Sequence, residues 1–302
     1  MPREEAQLTI QPLAKTKHGL PMPIVKRSNH PDIHYALDDF TDPWRNAPYL
    51  ILQHGFGRNG RFWYSWVPYL ARFYKVVRTD IRGLGQSSGE FDLEKGFTVD
   101  NLIGDLVAVI DDLGADKVHF GGESMGGILG MVLAATHPAR IRTLTLVSSP
   151  VFIGSAVKEK YALGYASQEE AQEKLGMQAW VAATNRIVRF PPSSDEGLMN
   201  WYEEEFAKNR PEAQQAMGKL LHGFSAAPFL PRIEAPVLGL YPTGGPIVTP
   251  EQEQMLKTGI RNFRMVNFPS AFHKVQMSFP AACATNLLHF AAQHDGIVCR
   301  ES

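Results

Sequence analysis

The sequence predicts an α/β fold: a mostly parallel central sheet with helices on both faces and an inserted helical cap. Between residues 48 and 149, apolar runs of strand length alternate with stretches of helical periodicity, and the alternation resumes at residue 235. The strand runs are apolar throughout, as is typical of parallel strands that are buried on both faces. Between these two regions, residues 151–229 contain helical patterns and no convincing strand.

Each element follows from its local pattern of apolar, glycine and proline residues. Strands are predicted at residues 23–26, 33–37, 48–53, 74–79, 118–121, 141–149, 235–241 and 263–268. Helices are predicted after Gly60, from Thr98, from the Gly-x-Ser-x-Gly turn to near His137, and at residues 156–175, 178–188, 197–207, 212–221, 250–257 and 280–294. The chain is therefore divided into a leader at residues 1–18, a core at 19–150 and 233–302, and a helical cap at 151–232.

The composition excludes several functional classes. The net charge is −1 and the pI is near 6.8, so no basic surface for nucleic acid or an anionic membrane is expected. No apolar run is long enough to span a bilayer, and the polar N-terminus does not resemble a signal peptide. We expect a cytoplasmic protein whose partner is a small-molecule substrate. A homo-oligomer is compatible with the sequence, which leaves the oligomeric state open.

The two cysteines, Cys283 and Cys299, provide neither a disulfide framework nor the spacing of a metal site. Cys283 lies in an apolar helical stretch and Cys299 in the C-terminal tail. We interpret them as a buried small hydrophobe and a tail thiol, and we expect neither a metal nor an organic cofactor.

The chemistry centres on a predicted strand that runs into Gly122-Glu123-Ser124-Met125-Gly126 and then into an apolar helix. This context is what a serine nucleophile elbow requires. The tight turn predicts a strained backbone at Ser124, with glycines on both sides where a Cβ would collide with a neighbouring element. It also exposes the hydroxyl at a helix N-terminus, where the dipole and free N–H groups favour a developing anion.

Four motifs taken together resemble the α/β-hydrolase superfamily, over roughly residues 19–294. They are His54-Gly55-Phe56-Gly57, the Asp80–Ser87 turn, Gly122–Gly127, and a histidine, His273, that follows the last strand. The sequence is most similar to small-ester and lactone hydrolases such as the enol-lactonases, and to the carbon–carbon bond hydrolases of aromatic degradation. The resemblance implies the α/β-hydrolase fold.

The resemblance also implies roles for individual residues. Ser124 would be the nucleophile and His273 its general base. The backbone N–H groups of Phe56 and Met125 would form the oxyanion hole. His54, Asp80 and Arg82 would be structural. A serine at the elbow argues against haloalkane dehalogenases and epoxide hydrolases of this fold, because these attack with an aspartate.

The sequence departs from the family at the acid that orients the histidine. Gly245 stands where the family usually has Asp, and the strand before the cap ends in Val147-Ser148-Ser149-Pro150 without a carboxylate. We interpret Glu251 and Glu253 as solvated residues of a first helical turn. Three alternatives remain: a Ser–His dyad in which Ser148 or a backbone carbonyl orients the ring, a carboxylate that reaches in from elsewhere, such as the cap, or a replaced acid with low activity.

The predicted function is a serine hydrolase that cleaves an ester or lactone of a mainly apolar small molecule through an acyl-enzyme. Aromatic residues in the cap, among them Tyr161, Trp180 and Trp201, favour an apolar pocket between the cap and the sheet. One alternative is a carbon–carbon bond hydrolase or another cofactor-free enzyme on the same scaffold. The other is a non-catalytic ligand-binding protein, which the absence of an acid at Gly245 favours and an intact Ser124 and His273 argue against.

Overall fold

In the computed structural model, which describes residues 23–87 and 89–299, eight strands form one sheet. The predicted leader lies outside the described residues. The spatial order is β1-β2-β4-β3-β5-β6-β7-β8. The pairs β1–β2 and β2–β4 are antiparallel, and the five remaining pairs are parallel. The strands are β1 Ile24–Val25, β2 Ile33–Asp38, β3 Tyr49–Gln53, β4 Lys75–Thr79, β5 Val118–Glu123, β6 Ile141–Val147, β7 Val237–Pro242 and β8 Phe263–Phe268.

Helices connect the parallel strands and fill the segment between β6 and β7. They are α1 Val67–Leu70, α2 Leu93–Gly96, α3 Val99–Asp112, α4 Met125–Thr136, α5 Ser155–Ala162, α6 Gln168–Leu175, α7 Met177–Thr184, α8 Glu196–Ala207, α9 Pro211–Gly223, α10 Pro250–Gly259, α11 Val275–Ser278 and α12 Pro280–Asp295. The fold is thus the mostly parallel α/β architecture that the sequence predicts. Among the described helices, none has the length and apolarity needed to cross a membrane.

The two faces of the sheet carry separate hydrophobic clusters. Alternate residues of β3 point to opposite faces: Ile51 belongs to one cluster, while Leu50 and Leu52 belong to the other. The apolar stripe of α3 and nearly all of α4 cover the first face, and α1 with α12 covers the second. Both faces are therefore sealed, so the carboxyl ends of the strands are where a site can open.

The segment between β6 and β7, residues 151–232, is called the insertion here. Its helices enclose an aromatic cluster that also takes in Phe62 and Met277 from outside it. Polar contacts join it to the sheet domain as well, since Asn209 donates to the Gly57 carbonyl at 2.9 Å and accepts from Gly85 N–H at 2.9 Å. The insertion is therefore packed onto the loops that follow β3 and β4.

Two predicted helices of the insertion are wrong in their extent. Residues 156–175 form two helices, because the backbone takes positive φ at Leu163 (51°) and Gly164 (85°) between α5 and α6. Residues 178–188 do not form one α-helix either. Helix α7 ends at Thr184, and a π-helical turn, Asn185–Arg189, follows it. Such turns widen a helix locally and often occur at functional sites.

Candidate active site

Ser124 occupies a strained turn between β5 and α4. Its φ of 54° and ψ of −117° are unusual for a residue with a Cβ. The flanking glycines make the turn sterically feasible. A Cβ at Gly122 would lie 2.3 Å from the Gly126 carbonyl oxygen, and one at Gly126 would lie 2.3 Å from the Gln53 carbonyl oxygen. The packing of strand against helix therefore holds the nucleophile candidate in a backbone conformation that would otherwise be rare.

A Gly126→Ala substitution should be destabilising because its Cβ meets backbone rather than a movable side chain. We expect the free energy of unfolding to fall by about 1–3 kcal/mol, measured by urea denaturation. Gly223→Ala is the matched control, since a Cβ there meets nothing within 4 Å, and it should change stability by about 0.5 kcal/mol at most. Equal stability of the two variants would contradict the close approach at Gly126.

Two backbone N–H groups near Ser124 are free to bind an anion. Within the described residues, neither the Phe56 N–H nor the Met125 N–H donates a hydrogen bond. Both residues line the same cavity as Ser124. Met125 begins α4, so the helix dipole adds to the favourable potential there. The geometry is compatible with the predicted oxyanion hole.

His273 lies in the loop after β8 and lines the cavity together with Ser124. Its ring nitrogen Nε2 is 3.3 Å from Glu123 Oε1. In the part of the chain that the structure describes, no hydrogen bond joins the ring to the Ser124 hydroxyl. The His273 loop is anchored to the insertion, because the N–H groups of His273 and Lys274 donate to the Val188 and Arg189 carbonyls at 2.9 and 3.0 Å.

Glu123 is the centre of a buried charged network beneath the cavity. Its carboxylate accepts from Arg58, and its Oε1 accepts from Lys274 Nζ at 2.6 Å. Burial raises the pKa of this carboxyl, but Arg58, Lys274 and His273 outweigh burial and hold the pKa well below its usual range. Glu123 is therefore ionised at neutral pH, with a cationic or hydrogen-donating group on each side.

The loop with Gly245 lies beside the His273 loop but offers it no carboxylate. Gly244 N–H donates to the Ser270 carbonyl at 3.1 Å, so the two loops are in contact. Ser148, a candidate for orienting His273, has a positive φ of 47°, and its buried hydroxyl has no hydrogen-bond partner among residues 23–87 and 89–299. The carboxylate next to the ring is instead Glu123, from the sheet domain and not from the insertion.

Sequence reasoning missed three members of this network. Glu123, Arg58 and Lys274 each lie beside a residue that the motifs already identify, and each is fully buried. The available signal was their charge: the strand end, the glycine-rich turn and the histidine loop each contain one aspartate, glutamate, lysine or arginine. A sequence does not show that three such positions converge.

Other polar residues of the motifs have structural roles in this fold. The His54 ring donates from Nδ1 to the Gly55 carbonyl at 2.8 Å and accepts at Nε2 from Ile81 N–H at 3.0 Å. Asp80 accepts from Gly60 N–H at 2.6 Å, and Arg82 forms a two-pronged ion pair with Asp105. The His54–Ile81 and Asp80–Gly60 contacts tie the loops after β3 and β4 together, and the Arg82–Asp105 pair ties the loop after β4 to α3. None of His54, Asp80 and Arg82 lines the cavity.

The low pKa values of two buried histidines predict that the free energy of unfolding falls at low pH. Burial lowers the pKa of both His54 and His273 to about 4, whereas the pKa of a histidine in an unfolded chain is ~6.5. Between these values the unfolded chain binds protons that the folded protein does not. The stabilisation is therefore complete above the unfolded pKa and is lost as the pH falls toward 4, by about 1.4 kcal/mol per pH unit for each histidine.

Urea denaturation at pH 7, 6 and 5 measures this slope. His273→Asn should remove the contribution of one histidine and leave the rest of the slope, including that of the carboxylates, in place. A slope that is the same in the variant and the wild type would contradict a buried, neutral His273.

The cavity itself lies between the insertion and the strand ends. Its free space of about 30 Å³ is that of one or two water molecules, so side chains that line it must move to admit a substrate. The lining comprises Phe56, Arg58, Ser124, Met125, Ile153, Tyr161, Gln168, Arg189, Gly218, Leu221, His222, Ile247 and His273.

Comparison with known proteins agrees with this fold. The model of the alpha/beta hydrolase fold family matches residues 48–280. The chain belongs to the alpha/beta hydrolase family. It is a hydrolase, and the same fold appears in solved structures of enol-lactonases and esterases.

Relatives of this hydrolase differ in the chemistry that their names state. "Putative carbamate hydrolase RutD" of Agrobacterium fabrum is 24% identical over 272 residues, 87% of this chain and 99% of that protein. The enol-lactonase of Burkholderia xenovorans LB400 superposes with a TM-score of 0.75 and 25% identity, over 86% of this chain and 96% of that one. Epoxide hydrolase B of Mycobacterium tuberculosis is 35% identical over 129 residues, which are 41% of this chain and 34% of that protein.

Proposed function

We propose that this hydrolase cleaves an ester or lactone bond of a small molecule through an acyl-enzyme formed on Ser124. The observation that carries the proposal is that four groups lie at one cavity: the strained Ser124, His273, and the backbone N–H groups of Phe56 and Met125. Neither of these N–H groups donates a hydrogen bond to the described residues. Serine needs a base to attack a carbonyl, and the tetrahedral intermediate needs donors for its oxygen.

In the proposed mechanism the Ser124 oxygen attacks the carbonyl carbon while His273 takes the hydroxyl proton. Glu123 faces Nε2 of the ring, so Nδ1 is the nitrogen that is left to accept this proton. The imidazolium that forms is stabilised by the Glu123 carboxylate, and it then protonates the leaving alcohol. Water, deprotonated by the same ring, releases the acid and restores Ser124. None of these reaction steps requires a metal ion or an organic cofactor.

A carbamate is the second candidate substrate, since the RutD relative matches over nearly its whole length. The same attack would apply to a carbamate carbonyl, so only rates on matched substrates separate the two classes. The similarity to epoxide hydrolase B covers a third of that protein, and the serine at the elbow favours carbonyl chemistry. A carbon–carbon bond hydrolase would use the same groups and would be revealed by substrate profiling.

The test is covalent labelling with a fluorophosphonate, which reacts with an activated serine, followed by intact mass and peptide mapping. We expect a single adduct that is absent in Ser124→Ala and forms much more slowly in His273→Ala. Ser193→Ala, which changes an exposed serine of the insertion, should label like the wild type. No adduct on the wild type after several hours would overturn serine catalysis and favour a ligand-binding protein.

A further inference from the structure

Arg189 is a buried cation that the proposed reaction does not use. It ends the π-helical turn of the insertion, and its side chain is 2% exposed. Its Nη1 donates to the Thr184 hydroxyl and, at 3.3 Å, to Asn185 Oδ1, both of which are neutral acceptors. Throughout residues 23–87 and 89–299, no carboxylate lies within ion-pair distance of this guanidinium. A buried charge without a counter-ion is costly unless another group compensates it.

Aromatic rings compensate part of this cost. The Arg189 guanidinium lies 5.3 to 5.9 Å from the ring centroids of Tyr161, Trp180, Tyr202 and Phe206. Such contacts stabilise a cation through the ring faces and leave its N–H groups free. Nε and Nη2 of Arg189 have no hydrogen-bond partner in the described chain. The packing therefore holds the guanidinium in place and leaves donors for a further acceptor.

These free donors belong to the same cavity as the nucleophile candidate. Arg189 and Ser124 both line it. The hydrogen bonds that join Val188 and Arg189 to the His273 loop fix the guanidinium relative to the proposed base. Arg189 is thus part of the wall that any substrate on Ser124 would contact.

The charges around the cavity do not balance. Its lining contains two arginines, Arg58 and Arg189, and no aspartate or glutamate. The carboxylate beneath it, Glu123, is already taken by Arg58 and Lys274. Even if Lys274 is left out of the count, one arginine of the lining, Arg189, has no carboxylate within ion-pair distance among the described residues. Glu203 approaches it only through Asn185. A bound anion would supply a negative partner.

We propose that Arg189 binds a carboxylate group of the substrate, so that the enzyme hydrolyses esters or lactones that carry a second, free carboxylate. A carboxylate matches the planar fork of a guanidinium, which can donate two parallel hydrogen bonds to it. The aromatic and aliphatic side chains of the lining would contact the apolar chain between the carboxylate and the scissile bond. The hydrolysis in this inference rests on the proposed function, whereas the binding of a carboxylate by Arg189 does not.

The test compares phenyl monoesters of succinic, glutaric and adipic acid with the corresponding amides, in which a neutral CONH₂ replaces the carboxylate. At least one acid should have a kcat/KM about 10- to 100-fold higher than its amide, the range expected for a charge-assisted hydrogen bond. Arg189→Gln should bring this ratio close to one. Arg186→Gln, which removes an exposed arginine from the same turn, should leave the ratio as in the wild type.

A binding measurement separates this inference from the proposed function. Calorimetry on Ser124→Ala should detect the phenyl monoester acid and show binding about 10-fold weaker or more for its amide. Binding by Ser124→Ala without turnover by the wild type would overturn the proposed function and support the carboxylate site. Equal turnover of acid and amide would overturn the carboxylate site and support the hydrolase. If Arg189→Gln does not fold, Arg189→Lys takes its place and the wild-type ratio of kcat/KM for acid and amide is the deciding measurement. A wild-type ratio near one at all three chain lengths overturns the proposal.

Discussion

Replacing Ser124 with alanine is expected to lower kcat/KM for every ester that the protein hydrolyses by about 10⁵-fold or more. Alanine removes the attacking oxygen and keeps the Cβ, so the strained backbone of the elbow is unchanged. The Ser124 hydroxyl makes no hydrogen bond with the described residues, and its loss should change the free energy of unfolding by less than about 0.5 kcal/mol. Steady-state kinetics on phenyl esters and urea denaturation measure the two quantities.

This pairing of a large kinetic effect with a small stability effect is the signature of a nucleophile. A loss of less than about 100-fold in a folded variant would indicate direct attack by water, with the oxyanion donors and His273 as the remaining catalytic groups. A loss of stability of several kcal/mol would indicate that the hydroxyl has a structural role that the structure does not show.

Replacing Glu123 with glutamine should have the second largest effect, and it should alter both activity and stability. Glutamine keeps the shape but removes the charge that holds the His273 ring and stabilises its protonated form. We expect kcat to fall by about 10²- to 10⁴-fold. Arg58 and Lys274 would lose their counter-charge, so the free energy of unfolding should fall by about 3–5 kcal/mol. Assays at a temperature where the variant is folded keep the two effects apart.

The pH dependence of kcat/KM shows whether Glu123 orients His273 or only supports the structure. Glu123 raises the pKa of His273, opposing the effects of burial and of Lys274. Without this charge the pKa should fall further, so the acidic limb of kcat/KM should move to lower pH. Asp105→Asn is the matched control, because Asp105 is also buried and paired with two arginines, Arg27 and Arg82, but lies outside the cavity. The Asp105→Asn variant should be less stable than the wild type, but the acidic limb of its kcat/KM profile should stay at the wild-type pH. An unchanged limb in Glu123→Gln would contradict the positioning role.

The proposed role of Glu123 also bears on the missing acid at Gly245. The family's usual acid position has a glycine, whereas the residue directly before the nucleophile has a carboxylate 3.3 Å from the ring. If both predictions hold, this hydrolase orients its histidine from the elbow strand and not from the loop after β7. The prediction that a carboxylate reaches the histidine from elsewhere would then be fulfilled by the sheet domain.

The fold and the motif residues could be predicted because they leave local signals in the chain. Apolar strand runs, helical periodicity and the glycines around Ser124 are local signals, and each reports on its own segment because backbone preference and burial on one face are local properties. This is why the eight strands and the elbow glycines could be predicted. The prediction was wrong in the insertion, where the positive φ at Leu163 and the π-helical turn leave no pattern that periodicity detects. It was also wrong after Gly60, where a 3-10 turn, Gly60–Trp63, and the short helix α1 replace the one predicted helix.

Which charged residues share the site depends on contacts between distant parts of the folded chain. Arg58, Glu123, Arg189 and Lys274 lie far apart along the chain, with 151 positions between Glu123 and Lys274 alone, and each looks like an ordinary surface residue in its own segment. They meet because parallel strands bring their carboxyl ends to one edge and the insertion folds back over it. Electrostatic energy depends on distance and burial, which sequence spacing does not encode. The orientation of His273 and the charge of the cavity therefore follow only from the folded chain.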